Sequence, residues 1–189
     1  MFSSFFPNPK LFFLSLLFWV IIVVTIWYSI GSEIGTSLGF QFSPADAPPV
    51  IGLGYFVTSE FFWFYIYYLI SSLLFYSFWS YYSPHKWQLW SILGSSLLIF
   101  MAYMTVQVSV VINAWYGPFY NDIQTALSGN GEVLASDLYN HLLTFCIIVF
   151  PYIIFVPLKL FFTSHYIFRW RNAMNDFYIE KWSKVRKIE

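Results

Sequence analysis

Long apolar segments, separated by connections rich in Gly, Pro, Ser and charged residues, dominate the 189-residue chain. Four of them reach the roughly 20 helical residues that are needed to cross the hydrocarbon layer of a bilayer. These segments are residues 11–30, 61–82, 89–115 and 142–162. The first three contain no Asp, Glu, Lys or Arg, and the fourth contains only Lys159. The pattern predicts an all-α membrane protein in which residues 1–189 form one transmembrane domain of four helices.

The connections between these segments predict loops and one helical extension. Residues 31–60 are rich in Gly, Pro and Ser, which indicates a loop rather than a packed domain. Gly117-Pro118 is predicted to end the third helix before a short separate helix follows. No Gly or Pro follows Pro157, so the last helix is expected to continue beyond the membrane as an amphipathic cytoplasmic extension over residues 163–189.

The distribution of charge predicts the orientation of the four helices. The two longer loops and their borders carry acidic residues and no Lys or Arg. These acidic residues are Glu33, Asp46, Glu60, Asp122, Glu132 and Asp137. The basic residues lie near the amino terminus, in the short turn at Lys86 and towards the carboxyl end of the chain. Because short cytoplasmic loops are enriched in Lys and Arg, both termini are predicted to be cytoplasmic.

Composition and motifs exclude several classes of function. Charged residues make up 10% of the chain, against about a quarter in soluble domains, and the formal net charge is zero. The charge gives no reason to expect a nucleic-acid partner. Cys146 is the sole cysteine, which excludes an intramolecular disulfide. No phosphate-binding loop, hydrolase motif or metal-ligand spacing occurs, so no enzymatic activity, cofactor or metal is predicted.

Polar side chains within the third segment are the main candidates for function. One helix face carries Ser96, Phe100, Tyr103 and Gln107, and another carries Thr105, Ser109 and Asn113. Such groups either form hydrogen bonds to neighbouring helices or line a water-filled substrate route, and the sequence leaves both interpretations open. Lys159 is interpreted as a side chain that extends to the cytoplasmic interface.

Several strings along the whole chain carry a family resemblance. They are MFSSFFP at residues 1–7, SPHKWQLWSILG at 83–94, NAWYGPFY at 113–120, IQTALS at 123–128 and SHYIFRWRNAMN at 164–175. In order and spacing they resemble the SbmA/BacA family of bacterial inner-membrane peptide transporters. The resemblance implies a multi-pass inner-membrane protein whose fold is like part of the membrane domain of ABC exporters, without nucleotide-binding domains.

The same resemblance implies proton-driven uptake of peptides, including antimicrobial peptides, by a homodimer embedded in lipid. Family members are longer, so the chain is expected to be an amino-terminal half that is inactive alone. It is expected to form a homodimer or to pair with the missing carboxy-terminal half. Two alternatives remain. One alternative is a small membrane protein that acts by binding a partner. The other is the membrane half of an ABC exporter that works with a separate ATPase.

The candidate residues of the substrate or proton pathway are Gln107, Asn113, Tyr116 and Glu189. The resemblance places Gln107 where family members tend to carry an acidic side chain, and Glu189 matches another acidic position of the family. An amide does not exchange a proton near neutral pH. Proton coupling through Gln107 itself is therefore not expected.

Overall fold

A computed structural model describes residues 2–44, 46–129 and 133–186 as a helical structure with no strand in these ranges. The long helices are α1 (Pro9–Ser37), α2 (Ser59–Tyr82), α3 (Ser95–Ser128) and α4 (Ala135–Val185). Short 3-10 turns cover Phe2–Ser4 and Leu53–Val57, and a π-helical segment, Leu89–Gly94, leads into α3. All four long helices are long and apolar enough to cross a membrane. The predicted all-α membrane fold is confirmed.

The outer surfaces of the helices are apolar, which suits lipid rather than water. The most apolar window of α1 has a mean hydropathy of 2.5, and only 6% of it is buried within the protein. Leu17 and Phe18, for example, are 57% and 58% exposed. In water, an apolar surface of this extent would drive association. The arrangement is that of a multi-pass membrane protein.

Helix α1 lies at the side of the bundle and is attached to α2 through aromatic side chains. The indole Nε1 of Trp63 donates a hydrogen bond of 2.8 Å to the carbonyl oxygen of Gly31. The hydroxyl of Tyr67 donates to the carbonyl oxygen of Val23 at 2.7 Å. These bonds give the polar ends of two rings a partner where lipid offers none.

Helix α3 differs from the sequence prediction because it continues through Gly117-Pro118 to Ser128. A proline removes one backbone hydrogen bond from a helix, and contacts beyond it can offset that loss. Phe119 stacks on Trp115 with ring centroids 4.5 Å apart, and Asp122 contacts His141 of α4 at 2.8 Å. The helix ends where Gly129 adopts a left-handed φ of 66°, a common C-terminal cap.

The amino-terminal segment packs against α4. Phe5 is fully buried and stacks on Trp170 with ring centroids 5.5 Å apart. Lys86, in the connection between α2 and α3, forms an ion pair of 2.7 Å with Asp176 of α4. The amino terminus, residues 83–88 and the carboxyl half of α4 therefore lie together at one end of the bundle, here named the turn end. The opposite end, with residues 46–58 of the connection between α1 and α2 and with the contact between Asp122 and His141, is named the loop end.

Candidate functional site

Gln107 lies in a contact between secondary-structure elements. Its Oε1 accepts a hydrogen bond of 2.9 Å from the hydroxyl of Tyr55, which belongs to the 3-10 turn of the 38–58 connection. On the same face of α3, Ser96 bonds to α2 through the hydroxyls of Ser72 and Tyr68, at 2.7 and 3.0 Å. This geometry favours the helix-contact interpretation for Gln107.

Asn113 and Tyr116 lie on a different face of α3. At about 100° per residue, Tyr116 is about half a turn from Gln107, and it shares its face with Thr105, Ser109 and Asn113. Ser109, Asn113 and Tyr116 are exposed on the bundle surface. We name Thr105, Ser109, Asn113 and Tyr116 the polar stripe. The structure therefore separates Gln107 from the other two candidates on α3.

The members of the polar stripe differ in how their polar atoms are satisfied. The hydroxyl of Thr105 donates to the Met101 carbonyl at 2.9 Å, and that of Ser109 donates to the Thr105 carbonyl at 3.3 Å. Such bonds within a helix make hydroxyl groups tolerable in lipid. Within the described part of the chain, no side-chain hydrogen bond is found for Asn113. Its amide therefore needs a partner from water or another molecule.

Lys159 of α4 reaches the polar stripe. Its ammonium Nζ lies 3.4 Å from Oγ1 of Thr105, and the residue is half-buried. This position differs from the one expected from the sequence, in which the side chain extends to the cytoplasmic interface. The hydroxyls of Ser95 and Tyr166 form a hydrogen bond of 2.7 Å, so these residues of α3 and α4 lie at the same level along the bundle. Measured from that level along the helix axes towards the loop end, Thr105 lies about 15 Å away and Lys159 about 10 Å away. Because the ammonium contacts Thr105, the Lys159 side chain points away from the turn end.

The position of Lys159 along α4 lies within the membrane-spanning part. At 1.5 Å per residue, Lys159 is about 27 Å from His141 at the loop end and about 15 Å from Arg169 at the turn end. A hydrocarbon layer about 30 Å thick, centred between those two polar residues, encloses Lys159. A charged side chain at such a depth is costly and is usually functional.

Polar and charged groups mark both ends of the α3–α4 pair. At the loop end, Nε2 of His141 lies 2.8 Å from Oδ2 of Asp122. At the turn end, the Arg169 guanidinium lies over the Trp90 ring, 5.2 Å from its centroid. The polar stripe runs between these two ends. Across residues 2–44, 46–129 and 133–186, no three His, Cys, Asp or Glu side chains group closely enough to hold a metal ion.

Two features of this region were missed by sequence reasoning, and one candidate remains outside it. Tyr55 lies in a loop, so periodicity gave no reason to pair it with Gln107. Lys159 is 18 residues from His141, which is five full helical turns, so periodicity could have placed both on the α4 face towards α3. Glu189 lies outside the described residues.

Four helices that are long and apolar enough to cross a membrane define the class as a multi-pass membrane protein. Residues 84–189 match the sequence model of the SbmA/BacA-like family, and this region is more than half of the chain. The chain therefore belongs to the SbmA/BacA-like family, as the resemblance predicted. Membership indicates a transporter of the peptide-carrying type. The matched region contains α3, α4 and the polar stripe.

Proposed function

We propose that this chain forms the amino-terminal half of a proton-coupled peptide-uptake transporter in the bacterial inner membrane, with both termini in the cytoplasm. The observation that carries the proposal is the polar stripe, which lies exposed along α3 within the family-matched region. Its Asn113 amide has no side-chain partner among the described residues. The one-sided distribution of basic residues supports the orientation.

A water-filled peptide route explains the exposed polar groups better than lipid does. Asn113 lies about 3 Å along α3 from Trp115, whose indole donates a hydrogen bond of 2.9 Å to the carbonyl oxygen of His141 at the loop end, so water can reach the Asn113 amide from that end. A peptide backbone offers carbonyl oxygens and N–H groups at short intervals, and both suit Asn113. Tyr116 combines an apolar ring with a hydroxyl and is 42% exposed near the loop end of the stripe. The stripe therefore suits a substrate that is itself amphipathic.

The route requires helices beyond these four. Alternating access needs two sets of helices that move against each other around a central site. Here α1 is peripheral, and the stripe has α4 along one side only. At the turn end, Trp182 and Val185 of α4 remain 71% and 61% exposed. We infer that a carboxy-terminal half and a second copy supply the missing walls, and that the chain alone does not transport.

Peptide uptake in a bacterial strain without its own importer tests this proposal. The chain is expressed either alone or with the carboxy-terminal helices of a family member, and entry of a fluorescent peptide is measured. Uptake is expected only with both parts, and Asn113→Leu should reduce it severalfold, whereas Val110→Leu on the neighbouring apolar face should not. Uptake by the chain alone contradicts the need for partner helices. Absence of uptake when both parts are in the membrane contradicts a role in transport.

Proton coupling is tested in the same cells. A protonophore should abolish uptake, and uptake that survives it contradicts coupling. Gln107→Glu introduces a titratable group beside the Tyr55 hydroxyl and should therefore change the pH dependence of uptake. An unchanged pH profile would mean that Gln107 serves only the hydrogen bond with Tyr55 that the structure shows.

A further inference from the structure

Lys159 is a cation without an anionic partner among the residues that the structure describes. The ion pairs among the described residues are Lys86–Asp176, His141–Asp122 and Lys184–Glu180, and none involves Lys159. Its ammonium has three donors, and the described residues supply one long contact, to Thr105 at 3.4 Å.

The sequence excludes an intramembrane counter-ion from a second copy. No Asp or Glu occurs at positions 1–32, 61–121 or 138–175, which include all four membrane-spanning segments. A second copy therefore brings no carboxylate to the depth of Lys159. The acidic residues lie in the connections, in the helix ends that border them and in the carboxy-terminal part of the chain.

The direction of the Lys159 side chain disfavours a lipid phosphate as its partner. Lipid headgroups lie outside the hydrocarbon layer, and a lysine reaches them by extending towards the nearer interface. With the hydrocarbon layer centred as above, the nearer interface for Lys159 is at the turn end, about 9 Å away along the helix axis. The ammonium points instead to Thr105, towards the centre of the membrane.

We propose that Lys159 is the charge-selective position of the substrate route and that it binds a carboxylate of the transported peptide. The inference rests on the proposed transport function. Thr105 holds the ammonium at the start of the stripe, and the partnerless amide of Asn113 lies about 12 Å further along α3. A peptide whose carboxylate meets Lys159 then extends along the stripe, where Asn113 binds its backbone.

Paired substrates test this selectivity in the two-part uptake assay. Two fluorescent peptides differ only in a carboxyl-terminal carboxylate or its amide, and their uptake ratio is measured for each variant. The unchanged chain should prefer the carboxylate form by on the order of tenfold, as expected for a hydrogen bond to a charged group. Lys159→Met should bring the ratio close to one while uptake of the amide peptide continues. Lys159→Arg should retain the preference, and Leu158→Met serves as the neighbouring lipid-facing control.

Different outcomes contradict the role of Lys159 and the transport function. A ratio that Lys159→Met leaves unchanged means that the ammonium holds a lipid phosphate or a small inorganic anion, and it overturns the proposal. Equal loss of uptake for both peptides, with normal protein in the membrane, means that Lys159 pairs with a carboxylate of a partner helix, which also overturns it. Failure of every variant, including the unchanged chain, to take up either peptide contradicts the transport function itself.

Discussion

The hydrogen bond between Tyr55 and Gln107 can be removed with little other change to the protein. Tyr55→Phe deletes the hydroxyl that lies 2.9 Å from Oε1 of Gln107. The ring itself is retained, together with its contact to Phe61 at 4.7 Å between centroids. Net hydrogen bonds in proteins contribute about 1 kcal/mol, and double-mutant cycles in membrane proteins average about 0.6 kcal/mol. We therefore expect Tyr55→Phe to lower the free energy of unfolding by about 1 kcal/mol.

A double-mutant cycle with Gln107→Leu measures this contact directly. Unfolding of the purified protein is followed in detergent micelles, and the coupling free energy should be about 0.5–1.5 kcal/mol. Tyr67→Phe is the matched control, because its hydroxyl bonds to Val23 of α1 and should show no coupling to Gln107. Additivity of Tyr55→Phe and Gln107→Leu within about 0.3 kcal/mol would refute the assignment of Gln107 to a helix–loop contact.

Three further predictions concern orientation, packing and pH. A reporter enzyme fused after Glu189 should be cytoplasmic, because the basic residues lie on one side of the predicted bundle; a periplasmic signal would contradict the four-helix topology. Gly35→Ala would press a methyl group against the ring of Phe42 and should cost about 1–3 kcal/mol in unfolding, whereas Gly117→Ala meets nothing within 4 Å and should be nearly neutral. Burial lowers the pKa of the His85 imidazole, so the unfolded chain binds more protons, and stability should fall as the pH drops below about 6.5 and through the lowered pKa. Thermal unfolding of His85→Asn should lack this part of the pH dependence.

The membrane-spanning segments could be predicted because hydrocarbon imposes a length and a composition on each helix. The helix ends outside the hydrocarbon follow other rules. Helix α3 continues past Pro118, and Asp122 beyond the proline contacts His141 of α4. The packing of Phe5 on Trp170 also depends on a contact between residues that are far apart in sequence. Local turn signals carry no information about such contacts.

The candidate site was predictable only in part, because periodicity gives the face of a helix but not its neighbour. It grouped Thr105, Ser109 and Asn113 on one face and Gln107 on another. It could not show that Tyr55 returns from a loop to bond with Gln107. The proximity of Lys159 to Thr105 depends on the register of α3 against α4, which the sequence alone does not determine.

Water accessibility of the polar stripe decides whether α3 lines a water-filled peptide route. In a Cys146→Ala background, Ser109→Cys and Asn113→Cys are treated with a membrane-impermeant thiol reagent in the two-part transporter. Ile154→Cys is the control, because Ile154 is 59% exposed and about 140° around α4 from Lys159. We expect rapid labelling at positions 109 and 113, slowed by excess peptide, and little labelling at 154. Equally slow labelling at all three positions would contradict a water-filled peptide route along α3.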